Sequence, residues 1–437
     1  MNYKVGIGTA IAICLSSILG DTLFAVTSVP LSLAGSYSLI AYALVAIVTI
    51  FIAAQLGELG SLMPKEKGLA YSYVNKSFGT ELGFISGVLL FIGFCATIAA
   101  VSFSFGGYLT TLLGINSTAL QILFAAILIV ALSFLNTMGV KETVKLSKAL
   151  VVVVFLTAAA FVIFAFLHIG SSHGFLLTNK GMTSDKGYIN FIDASAAIVF
   201  AYAGFQTISS ITGHVDGKGR GVAKAMAYAI VISMIVYMLV TLGVMILAPI
   251  SSVSISSEPL LYAINYAHAP SLFSAMITIG ILFSIAAATL TLIFTASRLL
   301  YQLGKDGMLP RITKVYDKSR DVAINGIWIS ALVEILILFS GDLYGIVSIS
   351  NFGFIFAWII TSFAIINVRR RKRFGDFKSP YFPLVPLASI ILCMLFLFGL
   401  PRTSLALGVM MILVLLVIYY SLVEIRYKKV QRIRLFD

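Results

Sequence analysis

The chain has 437 residues, of which 60% are hydrophobic and 11% charged, with a mean hydropathy of +1.04. That much apolar side chain exceeds what a water-soluble fold can bury, which excludes a soluble enzyme or binding domain and makes lipid the solvent for most of the chain. The formal net charge of +13 does not require a nucleic-acid partner, because its placement along the chain accounts for it.

A membrane-crossing helix needs about 20 mainly apolar residues. Runs of this kind predict twelve helices, near 5–33, 37–62, 80–112, 118–136, 144–169, 191–211, 222–248, 270–300, 322–340, 343–367, 381–400 and 404–425. The first run starts at Val5 and is much longer than the apolar core of a cleavable signal, so it reads as a helix of the mature protein. The joints are short at 34–37, 113–117 and 341–342 and longer at 170–190 and 249–269, and none holds a soluble domain. Residues 1–437 therefore read as one integral membrane unit. If the N-terminus is cytoplasmic, all of the 30 Lys and Arg residues except Lys180, Lys186 and Arg402 fall on cytoplasmic joints. The positive-inside rule then expects both termini in the cytoplasm and a multi-pass protein of the cell membrane, surrounded by lipid.

Two of the apolar helices are interrupted by glycine beside polar or aromatic groups. Helix 1 carries ILGDTLF (18–24), preceded by Ser16 and Ser17, and helix 6 carries FAYAGFQTISS (200–210). They stand five helices apart, where two inverted five-helix repeats would each place their first member. A broken helix exposes backbone N–H and C=O groups in mid-membrane and is tolerated where it lines a cavity. The alternative is that Gly20 and Gly204 are close-packing positions. Asp21 is the most informative residue, because an acid near a helix centre costs about 2.5–3.5 kcal/mol on insertion scales. Three roles stay open for it: a structural aspartate held by neighbouring hydroxyls, a proton-carrying carboxylate, or a counter-charge for a cationic substrate. Glu334 in helix 9 has no glycine interruption and reads as structural or lipid-boundary.

Other chemistries lack their motifs. His168, His173, His214 and His268 sit at helix ends or in loops without metal-ligand spacing, and Cys14, Cys95 and Cys393 lie far apart in apolar runs. No GxxxxGK(S/T), GxSxG or HExxH pattern occurs, and GKGRG (217–221) follows no strand and reads as a flexible basic joint. No enzyme activity, cofactor or metal is expected.

Five segments in order resemble the amino acid-polyamine-organocation superfamily of permeases, with bacterial amino acid permeases and cationic amino acid transporters the nearest in pattern. ILGDTLF is similar to the family's IG-small-GIF segment, and ELGSLMPKEKGLAYSYVNKSFG (58–79) to its helix 2 to 3 pattern. FAYAGFQ (200–206) resembles its helix 6 motif and SRLLYQLGKDGMLP (297–310) its loop after helix 8. NVRRRKR followed by FKSPYFPLVPL (377–387) is similar to its basic, Pro-rich approach to helix 11. The resemblance implies an all-α membrane fold with a five-plus-five inverted-repeat core of the leucine-transporter type, broken in helices 1 and 6. The repeats would be 1–169 and 191–367, with 381–425 as an appended helix pair. It also implies a substrate site between helices 1, 3, 6, 8 and 10. Carried over, Ser17, Gly20, Asp21 and Thr22 line the first half of the site, and Ala201, Tyr202, Gly204 and Phe205 the second, with Tyr202 or Phe205 as an aromatic gate.

The departures narrow the mechanism. Asp21 stands where the family has Ser, Ala or Thr, and an ionised carboxylate there repels a substrate carboxylate. Gln206 replaces the usual Glu, helix 5 has no mid-membrane lysine, and SIAAATLT (284–291) lacks the adjacent serines of a sodium site, leaving Thr289 and Thr291 as weaker candidates. The expected protein is a proton-coupled amino acid permease working by alternating access, with Asp21 as proton carrier. The rivals are a polyamine or organic-cation transporter and a potassium uptake protein of related fold. Cys95, Thr97, Ser350 and Asn351 are further candidates for side-chain specificity.

Overall fold

Inside a bilayer no water reaches backbone N–H and C=O groups, so a chain this apolar has to satisfy them within its own helices. A computed structural model of the protein describes residues 4–22, 27–64, 66, 69–115, 117–169, 187–253, 258–340 and 343–423. These residues form helices and connecting turns, with isolated backbone bridges at Val5–Val215 and Asp317–Val322 and no extended strand among them.

The first expected crossing is divided into α1 (Ile7–Thr22) and α2 (Ser28–Ala34). After a single 3-10 turn comes α3 (Ser38–Leu62), then α4 (Leu69–Phe78), α5 (Thr80–Leu112), α6 (Thr118–Thr137) and α7 (Val140–Leu167). Next, α8 (Gly187–Tyr202) tightens at Ala203 into a 3-10 segment, Ala203–His214. The second half continues with α9 (Lys218–Leu247), the short α10 (Ile250–Val253) and α11 (Pro259–Tyr266), and the long α12 (Ser271–Lys305). It ends with α13 (Ile324–Leu338), α14 (Leu343–Arg370), α15 (Leu384–Phe398) and α16 (Arg402–Ile418). Among the described residues nine helical segments are long and apolar enough to cross a membrane. Three shorter apolar helices, Ile7–Gly20, Ile324–Leu338 and Leu384–Phe398, stand in the other expected places.

Hydropathy alone did not reveal α4, α10 and α11, because none contains a membrane-length apolar run. Their causes are local: Pro259 opens α11 at a position where its missing N–H costs nothing, and the first part of α4 is enclosed on all sides, with Leu69, Tyr71, Tyr73 and Val74 all buried.

Burial orders the layers. The apolar stretches of α5 and α12 are 89% and 78% buried, against 28% for α6 and 22% for the last helix, so α5 and α12 form the centre and α6 and α16 face lipid. Leu123, Ile127, Phe134, Leu156, Ile163 and Val417 are exposed on the outer helices, where the hydrocarbon would cover them. At 35 residues α12 is about 50 Å long, well beyond a hydrocarbon core of about 30 Å, so part of it stands clear of the membrane.

The projecting part carries SRLLYQLGKDG, and at the basic end of the bundle it meets the 58–79 motif, which in turn meets the basic, Pro-rich approach to helix 11. Tyr71 on α4 donates a hydrogen bond to Asp306 Oδ2 (2.9 Å), and Gln302 on α12 donates to both Asp306 oxygens (3.1 and 3.2 Å) and to Glu66 (3.3 Å). Burial raises the Asp306 carboxyl above its ordinary range, against the lowering effect of Gln302 and Tyr71. Glu58 near the end of α3 is fully buried and takes Arg369 Nε at 2.8 Å and Arg369 Nη2 at 2.7 Å, a bidentate pair. The Ser379 backbone N–H (2.6 Å) and hydroxyl (2.7 Å) complete its shell, and the Arg369 guanidinium lies over the Phe382 ring at 4.4 Å. The Glu of the helix 2 motif and the basic, Pro-rich approach to helix 11 are thus two sides of one contact.

The lipid-boundary alternative for Glu334 is corrected by its burial. It is fully enclosed on α13 near Cys95, with Ser330 one turn earlier on the same helix.

Removing one member of a buried, hydrogen-bonded ion pair costs about 3–5 kcal/mol, because the other charge is left stranded. Arg369→Ala should therefore lower the thermal midpoint of the detergent-purified protein clearly, while Arg370→Ala, exposed beside it, leaves the midpoint within error. Equal midpoints for the two variants would show that the pair does not hold this end together.

Candidate functional site

The two interrupted helices touch at their breaks. Ser17 on α1 donates its hydroxyl proton toward the Gly204 carbonyl (2.9 Å), with the Ile13 and Cys14 carbonyls of its own helix at 3.0 and 3.1 Å. A Cβ at Gly204 would stand 2.1 Å from the Ser17 carbonyl oxygen, and a Cβ at Gly20 would stand 2.2 Å from the Ser284 carbonyl oxygen on α12. Both obstacles are backbone atoms, which cannot swing away. α1 therefore approaches both the 3-10 segment and α12 through contacts that only glycine permits. Ser16 adds a hydrogen bond to the Ala287 carbonyl at 3.3 Å.

Close packing and interruption occur together at these glycines. α1 is described for two residues past Gly20, to Thr22, and a new helix starts at Ser28, while α8 gives way to the 3-10 segment one residue before Gly204. The side chains of Asp21 and Thr22, and residues 23–26, lie outside the described residues. The other six predicted site residues are brought to the α1 and α8 junctions and the contacts around them.

Tyr237 on α9 joins the two breaks and was not singled out in the sequence. Its hydroxyl lies 2.6 Å from the Ile18 carbonyl and 2.8 Å from the Ala201 carbonyl, so one side chain serves the last turns of both α1 and α8. Tyr42 and Tyr202 each place a ring centroid 5.4 Å from that of Tyr237, and the Tyr202 hydroxyl donates to the Tyr42 carbonyl at 3.1 Å. The only sequence signal was a tyrosine within an otherwise apolar run, SMIVYMLV (233–240). Phe205 packs edge-on against Trp358 of α14 with centroids 5.8 Å apart, and its carbonyl is 3.8 Å from the Cys14 sulfur.

Several polar atoms on the surrounding helices are buried with no partner among the described residues. They include both amide atoms of Gln206, Thr289 Oγ1, Ser233 Oγ, Asn351 Oδ1 and Trp358 Nε1. Buried polar groups are normally paired, so unpaired ones beside helix breaks are where water or a polar ligand gains most. Among the specificity candidates, Thr97 and Ser350 are tied to each other at 2.7 Å across α5 and α14, and Asn351 reaches the Ala197 carbonyl on α8 at 3.4 Å. Cys95 is buried. Of the two sodium candidates, Thr291 is occupied by the Ala287 and Ala288 carbonyls, and Thr289 is the one without a partner. No group of three metal-ligating side chains occurs among the described residues.

The basic end carries a cavity of about 580 Å³ bounded by Val5, Gly139, Glu142, His214, Lys318 and Arg320. The start of α1 is fastened to the end of the 3-10 segment there, with Val5 N–H donating to the His214 carbonyl (2.8 Å) and Asp216 N–H to the Val5 carbonyl (3.0 Å). The fully buried Arg298 of α12 donates to the Ser210 carbonyl at 3.3 Å and to Asp321 Oδ2 at 2.6 Å, crossing from the central helix to the 3-10 segment. The two interrupted helices are thus linked at their basic ends as well as at their breaks.

Residues 6–428 match the family model described as amino acid permease. The branched-chain amino acid permease BcaP of Lactococcus lactis is 24% identical, with 97% of this chain and 94% of that protein aligned. The methylthioribose transporter of Bacillus subtilis is 23% identical over 89% of this chain and 87% of its own length, and the serine/threonine exchanger SteT of the same organism is 23% identical over 89% of each. Among solved structures, a Na+-coupled sialic acid symporter in a substrate-bound, outward-open state superposes with a TM-score of 0.62 at 12% identity, covering 95% of this chain and 90% of that one. At that identity the likeness shows the fold, which is the all-helical inverted-repeat core expected from the sequence.

The glycine contacts and the Tyr237 bridge are separately testable. Gly204→Ala and Gly20→Ala should abolish transport and lower the yield of monodisperse protein, while Gly8→Ala, where a Cβ meets nothing within 4 Å, behaves as wild type. Full activity in Gly204→Ala would mean that α1 and the 3-10 segment do not approach as described. Tyr237→Phe keeps the ring but strips the hydroxyl from two last-turn carbonyls, for an expected loss of about 1–3 kcal/mol in unfolding free energy. Denaturant titration of the purified variant measures that loss.

Proposed function

The chain belongs to the amino acid permease family, and we propose that it carries amino acids across the cytoplasmic membrane by proton-coupled alternating access. The observation that carries this reading is the meeting of two interrupted helices, joined by the Ser17–Gly204 contact and by Tyr237. The start of a half-helix presents N–H groups that favour an anion, and the end of one presents carbonyls that favour a cation. An amino acid brings one of each. In this reading Ser17, Gly20, Asp21 and Thr22 line one side of the site, and Ala201, Tyr202, Gly204 and Phe205 the other.

The relatives' printed substrates include branched-chain amino acids, serine and threonine, and methylthioribose. Two of these three are amino acid classes, which favours amino acids here. Proton coupling is preferred over sodium because α12 offers Thr289 without the adjacent serines of a sodium site, and because Asp21 places an acid at the α1 break. The excess of basic residues at one end orients that end toward the cytoplasm. The 580 Å³ cavity is then the cytoplasmic vestibule. Opening toward it would move α1 and the 3-10 segment together and break the Arg298–Ser210 link to α12. The repeats would be residues 1–169 and 191–367, with 381–425 appended.

A second reading follows from the same aspartate. An ionised Asp21 would make the site a receptor for an amine, with polyamines, other organic cations or potassium as cargo.

Uptake into proteoliposomes separates the two. Labelled leucine and serine should accumulate only with an inward proton gradient, and Asp21→Asn should abolish accumulation while sparing exchange. Entry of putrescine or rubidium, with amino acids neither entering nor competing, would replace the amino acid reading with the amine or cation one.

A further inference from the structure

A second cavity, of about 250 Å³, lies beside the Glu58–Arg369 pair and is bounded by Met63 at the end of α3, Lys76 and Ser77 on α4, and Asn367, Arg371 and Arg373 at the end of α14. We propose that this cavity binds the phosphate of an anionic phospholipid headgroup and thereby joins α4 to the end of α14.

Charge is the first argument. Three cations from two separate elements border one small cavity, and only Lys76 has an acidic partner, Glu66. The nearby Glu58 is saturated by Arg369 and Ser379, so it does not neutralise the other two. Arg371 and Arg373 have no ion pair among the described residues, and both are exposed on their outer side. A guanidinium presents a planar fork of donors that suits phosphate oxygens, and two of them on one cavity form a multidentate phosphate cradle.

Position is the second argument, and it selects a lipid over a soluble phosphate. The membrane-crossing stretch of α14 ends at Arg370, one residue before Arg371, and α3 ends at Leu62, so the cavity sits at the edge of the hydrocarbon where headgroups lie. One wall is apolar, formed by Leu62, Met63 and Val368, which suits the glycerol and first methylenes of a lipid. Basic pockets between helices at the cytoplasmic surface are suited to acidic headgroups. The Asn367 side chain donates to the Ser77 carbonyl at 2.8 Å, so the two elements already touch on the cavity wall. A phosphate held between Lys76 and the two arginines would reinforce that junction.

The test uses the purified full-length chain and reads binding rather than transport, so it is independent of the substrate. Adding phosphatidylglycerol to detergent micelles should raise the thermal midpoint in a saturable way, whereas phosphatidylcholine should not. Arg371→Gln with Arg373→Gln should weaken the apparent lipid affinity about 30-fold, at roughly fivefold for each interfacial basic residue. Arg311→Gln with Lys314→Gln, basic residues outside the cavity, should leave it unchanged. Inorganic phosphate raising the midpoint as well as the lipid does would overturn the lipid assignment in favour of a soluble phosphate. Equal losses in both double variants would reduce the effect to general surface charge and overturn the site. Absence of any phosphatidylglycerol effect on the wild type would overturn it too.

Discussion

The structure depends on how closely backbone can approach backbone around α1. Gly204 lets the 3-10 segment rest on the Ser17 carbonyl, and Gly20 lets α1 rest on the Ser284 carbonyl of α12. In lipid, helices gain little from burying apolar surface against one another, since hydrocarbon is as apolar as leucine, and association has to come from close packing and polar contacts. The α1 junctions supply both, with glycine removing the side-chain spacer and Ser16, Ser17 and Tyr237 adding hydrogen bonds across the contact. Where α1 and α8 lose their regular ladder, freed carbonyls need donors, and the Ile18 and Ala201 carbonyls share the single hydroxyl proton of Tyr237.

At the basic end the constraint is electrostatic. Glu58, Arg298 and Arg369 are charges withdrawn from water, each satisfied by a partner on a different segment of the chain. Such pairs contribute little net stability compared with apolar packing, but they penalise any arrangement that separates them. They therefore fix which segments lie together: α3 with α14 through Glu58 and Arg369, and the 3-10 segment with α12 through Arg298. Arg371 and Arg373, which have no ion pair among the described residues, sit next to the first of these contacts, where a headgroup phosphate would add to it.

Membership of the amino acid permease family accounts for the architecture over nearly the whole chain. It leaves the ligand to the pocket. Proteins at 23–24% identity to this one are named for substrates as different as branched-chain amino acids and methylthioribose. Around the two helix breaks of this chain, the Gln206, Thr289 and Asn351 side chains hold buried polar atoms with no partner among the described residues.

The membrane class and the crossings were legible in the sequence because hydropathy over about 20 residues is a local property, and lipid allows few structures other than a helix. The positions of the two breaks were legible for the same reason: a glycine beside an acid or an aromatic stands out in an apolar run. Tertiary structure decided the rest. α4 and α11 are too short for a membrane-length hydropathy signal and form because neighbouring helices bury most of their residues. The role of Tyr237 depends on two carbonyls, at Ile18 and Ala201, that lie in opposite halves of the chain and meet only in space, and no local pattern encodes that meeting. Glu58 could be read as a motif residue, but that its partners are Arg369 and Ser379, more than 300 positions away, is a fact of chain folding, since a buried charge takes whichever counter-charge the packing brings to it.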